Sequence, residues 1–269
     1  MDLQLVSRIM EVLERGETVV LVSQVAVEGP APREAGARML VFPDGHIEGT
    51  IGGGALEHQA TQEAVALLAE GPRTLLKTYE LRDLGMLCGG RATLYYEILA
   101  PKVKLAIFGA GHVGAALARL AQEMTPFSVA VYDNREERCQ TDLVPGLRPH
   151  YLSGYRELPR LSGRFYAVVC TDSHATDFKV VQGLLSQDPV PAYLGMLGSR
   201  PKGEKVRALL REAGIPEERI DLVRTPVGLP IGGKSPGEIA ISILAELLAF
   251  HHGRLPEVQA RFGKKDRPN

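Results

Sequence analysis

Gly109-Ala110-Gly111-His112-Val113-Gly114 spaces three glycines as a turn that lets backbone N–H groups approach a pyrophosphate. Gly109 permits the tight turn, Gly111 the close approach of the anion, and Gly114 the packing of helix on strand; His112 lies inside the motif. Asp133 follows 19 residues after Gly114. At the end of the next strand, its carboxylate is placed to accept from ribose hydroxyls. The spacing alone also occurs in glycine turns that hold no nucleotide. Its weight comes from its place directly after an apolar strand and at the start of a helix.

Two more glycine clusters lie upstream. Gly49-Thr50-Ile51-Gly52-Gly53-Gly54 leads into a helix with Glu57 in its first turn, and Leu84-Gly85-Met86-Leu87-Cys88-Gly89-Gly90 leads into a strand. Such loops bring backbone donors close to an anion or a planar ligand, or simply supply turns with positive φ. Cys88, set between glycines, is expected to be accessible, and an accessible thiol is a candidate ligand for a soft metal centre. Cys170 ends an apolar strand and reads as core, and Cys139 as a surface thiol. His174 and Asp177 follow the third strand of the second half, at the edge where ligands sit, although capping by Thr171 or Ser173 explains part of that cluster. Gly228 and Gly233-Lys234-Ser235 match phosphate-loop spacing, but Pro230 and Pro236 suit such a loop poorly. Lys234 is therefore read as an anion contact.

The elements that position these residues fall into two patterns. Residues 1–100 read as α+β. Leu3, Val6, Ile9, Met10 and Leu13 recur at helical spacing up to Gly16, followed by strands near 18–27, 39–42, 46–47, 74–81 and 91–99 and a helix over 55–69. From Val103 onward, short apolar strands alternate with helices, which predicts a parallel sheet covered on its faces. The fold class expected is thus α/β: a small α+β N-terminal domain (1–100), a Rossmann-like doubly wound parallel-sheet domain (101–254), and a loose tail (255–269). The closing helix near 236–250 is placed to pack back across the domain boundary.

Composition narrows the function classes. Charged residues are 23% and apolar residues 45% of the chain, ordinary for a globular protein. Residues 1–100 carry 8 Lys+Arg against 14 Asp+Glu, and the remainder 23 against 18, part of that excess in the last few residues. With no tryptophan and 6% aromatics, no nucleic-acid surface is expected. The absence of a long apolar run predicts no membrane span, and Met1-Asp2-Leu3-Gln4 predicts no secretory leader. Three scattered cysteines predict no disulfide framework and a cytoplasmic, thiol-reducing location.

Taken together, several segments resemble one family, the XdhC/CoxI accessory proteins of molybdenum hydroxylases such as xanthine dehydrogenase. They are 29–39, 49–57 (Gly-Thr-Ile-Gly-Gly-Gly-Ala-Leu-Glu), 83–90, the Gly109–Gly114 turn, 193–200 and 228–246, in order, over roughly residues 5 to 250. One departure stands out: the family usually has Thr-His-Asp-His where this chain has Thr171-Asp172-Ser173-His174. The resemblance implies a protein that binds the molybdenum cofactor, holds it while a terminal sulfur is installed with the help of a cysteine desulfurase, and delivers it to an apo molybdenum hydroxylase. That implies a maturation factor and not a turnover enzyme. The cofactor is a pterin dithiolene with a phosphate, in some forms extended by a nucleotide. Under this reading Gly109, Gly111, His112, Gly114, Asp133 and His174 hold its phosphate or nucleotide part, with Lys234 as a further contact. Gly52, Gly53, Gly54, Glu57, Gly89 and Gly90 meet the pterin, and Cys88 the molybdenum. Two readings compete: an NAD(P)-dependent oxidoreductase, resting on the glycine turn and Asp133 alone, and a ligand sensor. Apolar stretches such as Leu94–Leu99 and the closing helix suit a homodimer.

Overall fold

The structure is a computed structural model that describes residues 3–70, 73–86 and 89–263. The chain divides into two compact units, Met1–Pro101 and Lys102–Asn269.

In the first unit, α1 (Leu3–Glu14) precedes β1 (Val19–Glu28), β2 (Arg38–Val41) and β3 (Ile47–Thr50); α2 (Gly54–Glu70), β4 (Thr74–Glu80) and β5 (Arg91–Leu99) complete it. The strands form one antiparallel sheet in the order β3-β2-β1-β5-β4. Alternation decides the buried face: Val20, Val22, Leu94 and Tyr96 turn toward Leu56, Ala60, Ala64 and Leu67 of α2. Val12 of α1 packs with Val19, Leu40 and Phe42 in a smaller cluster. The antiparallel order puts the ends of β1, β3 and β4 and the starts of β2 and β5 at one end of the sheet. The loops 29–37 and 51–53 and the segments 81–86 and 89–90 therefore gather there. Their approach is close: a Cβ on Gly90 would lie 2.4 Å from the Pro30 carbonyl oxygen, and one on Gly52 2.7 Å from Pro32 Cβ.

The second unit begins with β6 (Lys104–Phe108), α3 (His112–Met124) and β7 (Ser128–Asp133), followed by β8 (His150–Tyr151), β9 (Phe165–Val169) and α4 (His174–Leu185). It continues with β10 (Tyr193–Met196), α5 (Arg200–Glu212), α6 (Glu217–Ile220), β11 (Val223–Arg224), α7 (Pro236–His251) and α8 (Leu255–Gly263). The sheet runs β11-β10-β9-β6-β7-β8 and its pairings are all parallel. This is the doubly wound order of a Rossmann sheet. Leu105, Ile107, Tyr166 and Val168 pack against α3 and α7 on one face, while Phe108, Phe165, Val169 and Leu194 face α4 and α5 on the other. Strands buried on both faces explain the uninterrupted apolar runs of β6 and β9. β6 lies beside β9 although the chain visits β7 and β8 between them. Their carboxyl ends thus flank the topological switch point, where ligands bind in such sheets.

Three expectations change. Residues 255–263, read as tail, form α8, with Leu255 buried; its polar composition hid a helix anchored by that leucine. The buried face of α7 (Ala240, Ile243, Leu247) lies in the core of its own unit with Leu117 and Ala121 of α3. Leu94 and Tyr96, counted toward a dimer face, are fully buried in the first unit's core. Ile98 and Leu99 stay half-buried, and Ile241 of α7 is exposed.

Candidate functional site

The glycine turn joins β6 to α3 at the switch point. Gly109 adopts φ +114°, and a Cβ there would lie 2.3 Å from the Cys170 carbonyl oxygen. A Cβ on Gly114 would lie 1.8 Å from the Gly109 carbonyl oxygen and 3.1 Å from the Cys170 sulfur. The fold itself requires both glycines. Gly111 differs: its φ is −70°, and a Cβ there would meet nothing nearer than Arg135 Nη2 at 3.9 Å. Neither backbone strain nor packing calls for glycine at 111, and its missing side chain leaves open space beside the turn. Gly111 is also the N-cap of α3 and provides no side-chain cap, whereas Ser173, Ser199 and Ser235 cap α4, α5 and α7. The first N–H groups of α3, starting at the exposed His112, are therefore left without a side-chain acceptor. This turn fits a phosphate-bearing cofactor, to whose oxygens the N–H groups of 111–113 would donate.

Asp133 corrects the sequence reading. It ends β7 as expected, but it is fully buried, and its oxygens are already engaged. Oδ2 accepts from the Ala110 N–H at 2.6 Å and Arg135 Nη2 at 2.8 Å; Oδ1 accepts from the Arg135 N–H and Nε, both at 2.9 Å. Burial works to raise its pKa, but the Arg135 guanidinium and the two N–H groups outweigh burial and hold it below the ordinary aspartate range. The carboxylate fixes the glycine turn and Arg135 and offers no free oxygen to a ribose. Arg135 was not singled out from sequence, because a cation two residues past a strand end has no periodic or motif signature.

Across the switch point, a cleft of about 330 Å³ is lined by Thr171, Asp172, Ser173, His174, Asp177 and Lys202. Asp177, 1% exposed, receives the Lys202 ammonium and, on Oδ1, the Thr171 N–H at 3.1 Å and hydroxyl at 2.6 Å. Lys202 also donates to the Leu197 carbonyl oxygen at 2.8 Å. The pair thereby ties the loop after β9 to the loop after β10. Asp177 thus braces the edge from inside, and the Ser173–Thr176 capping box accounts for the hydroxyls. His174, at the first position of α4, is exposed on the cleft. Phe250 of α7 packs edge-to-face against Tyr166 and Tyr193, which lie at the starting ends of β9 and β10. The opposite end of α7, with exposed Lys234 just ahead of it, therefore points to the carboxyl edge of the sheet. Buried Glu246 steadies the approach to α7 by accepting from the Tyr193 hydroxyl at 2.6 Å and the Gly228 N–H at 3.0 Å.

In the first unit, the Gly52–Gly54 loop also differs from expectation. Glu57 Oε1 accepts from the N–H groups of Ile51 (3.0 Å), Gly52 (3.2 Å) and Gly53 (2.7 Å), and from the Thr50 hydroxyl. The donors expected to meet a ligand are turned inward onto a carboxylate of the chain. Burial pushes Glu57 upward, but these four donors prevail and keep its pKa below the ordinary glutamate range. Gly90 N–H donates to the Pro30 carbonyl oxygen at 3.1 Å, and a Cβ on Gly89 would fall 2.5 Å from Arg82 Nε. Gly90 is therefore a close-packing glycine, whereas Gly89 faces only the movable end of the Arg82 side chain. Cys88 lies outside the described residues. Among the described residues, no group of three or more His, Cys, Asp and Glu side chains is placed to hold a metal ion. Cys170 is buried as expected, and burial pushes its thiol up to about 12. Cys139, read as a surface thiol, is half-buried beside Asp133 and Arg135.

Comparison with known proteins agrees with this geometry. Residues 105–247 match the XdhC Rossmann domain, and residues 12–80 match the XdhC and CoxI family. The chain is 34% identical to the uncharacterized protein YqeB of Escherichia coli over 82% of its own length but only 41% of YqeB's. It is 26% identical to a probable xanthine dehydrogenase subunit of Bacillus subtilis (88% of this chain, 94% of that one). It is 25% identical to the molybdenum cofactor insertion chaperone PaoD of Escherichia coli (88% and 85%). A crystal structure from Bacillus halodurans, described as a xanthine dehydrogenase, shares the fold, with a TM-score of 0.50 and 22% identity over 91% of this chain and 96% of that one. The Rossmann turn, the loop cluster of the first unit and these matches lead to one statement: the chain belongs to the XdhC and CoxI family.

Proposed function

We propose that this protein binds the molybdenum cofactor as cargo and inserts it into an apo hydroxylase of the xanthine dehydrogenase type, protecting the cofactor while its terminal sulfur is installed. The observation that carries the reading is the open cradle at Gly111, in a chain similar along most of its length to a cofactor insertion chaperone. The turn supplies N–H donors for a phosphate, Arg135 adds a cation beside it, and Lys234 is a further candidate contact. Transfer to a client requires release, and a cradle built from backbone donors at an open sheet edge permits it without breaking a covalent bond. The partners proposed are the apo hydroxylase and a cysteine desulfurase as sulfur donor, in the cytoplasm. Among the described residues no helix is long and apolar enough to cross a membrane.

The test is native mass spectrometry with metal analysis on protein purified without oxygen from cells making the cofactor. Cofactor bound near one per chain and lost to an added apo hydroxylase supports the proposal. Bound NAD(P) without pterin or molybdenum replaces it with an oxidoreductase.

A further inference from the structure

The Asp133–Arg135 pair carries an inference about the form of the ligand, resting on the cargo reading above. In a dinucleotide-binding sheet, the carboxylate at the end of the second strand receives a ribose diol. Here that carboxylate is fully buried and saturated by four donors. What it presents in its place is a guanidinium. Arg135 is held by the backbone and by a two-pronged bond to Asp133, its side chain is 29% exposed, and Nη2 would lie 3.9 Å from a Cβ on Gly111. Only Nε and one Nη2 hydrogen of its five donors are committed to Asp133. The remaining donors lie beside the cradle, in the planar fork that matches a phosphate and has no acceptor to offer a hydroxyl.

We propose that Arg135 is the specificity-determining residue of this turn, and that it selects a ligand presenting a phosphomonoester there over one presenting a ribose diol. For the pterin cargo this means the form with a terminal phosphate and not the nucleotide-extended form. The same chemistry would accept the 2′-phosphate of NADP over NAD, so the two sources need separate arms. Asp172 opposes the selection: it is exposed on the cleft, and its carboxylate lies close enough to interact with Arg135 and so to compete with a phosphate for the guanidinium. Neutralising it should sharpen the preference.

The test is calorimetry on the full chain with two ligand pairs: hydroxymethylpterin phosphate against hydroxymethylpterin, and NADP against NAD. The phosphorylated pterin should bind about tenfold or more tighter than its partner. Arg135→Gln should lower that ratio severalfold, the N–H groups of the turn keeping the remainder, and leave the unphosphorylated ligand unaffected, while Asp172→Asn should raise it. Because Arg135→Gln strands a buried carboxylate, the double variant Asp133→Asn/Arg135→Gln is the control, and it should fold and show the same lowered ratio. A preference confined to the NADP pair upholds the phosphate selection and overturns the cargo reading. Equal binding within both pairs, absence of saturable binding by any of the four, or an unchanged ratio in the double variant overturns the inference.

Discussion

Gly111→Ala separates a ligand cradle from a structural turn, because the three glycines of one motif make different demands. A methyl group at 111 would have its nearest neighbour at 3.9 Å and a backbone already at φ −70°. The cost is that of alanine replacing glycine at an N-cap, offset by the lower entropy of the unfolded chain, and nets to within about 0.5 kcal/mol. At 114 the methyl would stand 1.8 Å from the Gly109 carbonyl oxygen. That overlap forces the turn off β6 and should cost about 3 kcal/mol or more. For a unit of this size the loss lowers Tm by roughly 6–12 °C. Ligand binding should respond in the opposite order of selectivity. The methyl of Gly111→Ala would occupy the volume through which a phosphate oxygen reaches the first N–H groups of α3. Losing two charged hydrogen bonds, each about 1.5–3 kcal/mol, weakens binding by about a hundredfold or more. The measurements are a thermal melt and the cofactor retained per chain after anaerobic purification. Gly111→Ala with an unchanged Tm and full cofactor occupancy would refute the reasoning, because the space at 111 would then serve no ligand.

Three further outcomes follow from the remaining geometry. Glu57→Gln should destabilise the first unit by about 1–3 kcal/mol at neutral pH, since four donors lose their carboxylate. Because the folded pKa of Glu57 lies below its unfolded value, its contribution is present above the unfolded pKa and fades as pH falls through the folded one; urea titrations at pH 7 and pH 4 should therefore show a smaller gap between wild type and variant in acid, and an equal gap would count against the nest. Lys202→Met should cost about 3–5 kcal/mol by stranding Asp177, and Asp177→Leu/Lys202→Met should recover most of it; a double variant as unstable as the single one would show that the pair is not the source. With its thiol pushed up to about 12, Cys170 should resist iodoacetamide at pH 8 in the folded chain and react once the chain is unfolded, read by mass spectrometry; rapid native labelling would contradict its burial.

The sequence was most legible where one local cause decides the outcome. β6, β9 and the antiparallel strands near 19–28 and 91–99 follow from runs or alternation of apolar residues. Gly16, Gly45 and Gly109 mark turns because their φ values of +83°, +82° and +114° exclude other residues. The covered parallel sheet followed from strand–helix alternation, and its Rossmann-like form from the glycine turn between β6 and α3. What escaped was set by partners distant in the chain. Asp133 could be placed at the end of β7, but its occupation by Ala110 and Arg135 depends on side-chain directions no period encodes. Lys202 reaches Asp177 across 25 residues, and Glu57 reaches back to donors ahead of its own helix. The glycines of the 52–54 loop read as a ligand cradle because nothing in their order shows that the occupant is supplied by the chain. α8 escaped for a simpler reason, since a short polar helix with one buried leucine lacks a face wide enough to detect.

The Glu57 nest also sets a kinetic and concentration barrier. A carboxylate tethered four residues from the Gly53 N–H is present at that loop at an effective concentration well above about a millimolar. Free phosphate, nucleotides and carboxylic acids at cellular levels therefore compete against an occupant that never diffuses away. The loop keeps the shape of an anion site while remaining closed to the anions around it. Shortening that side chain would remove the tethered competitor and convert a structural turn into a promiscuous binding site.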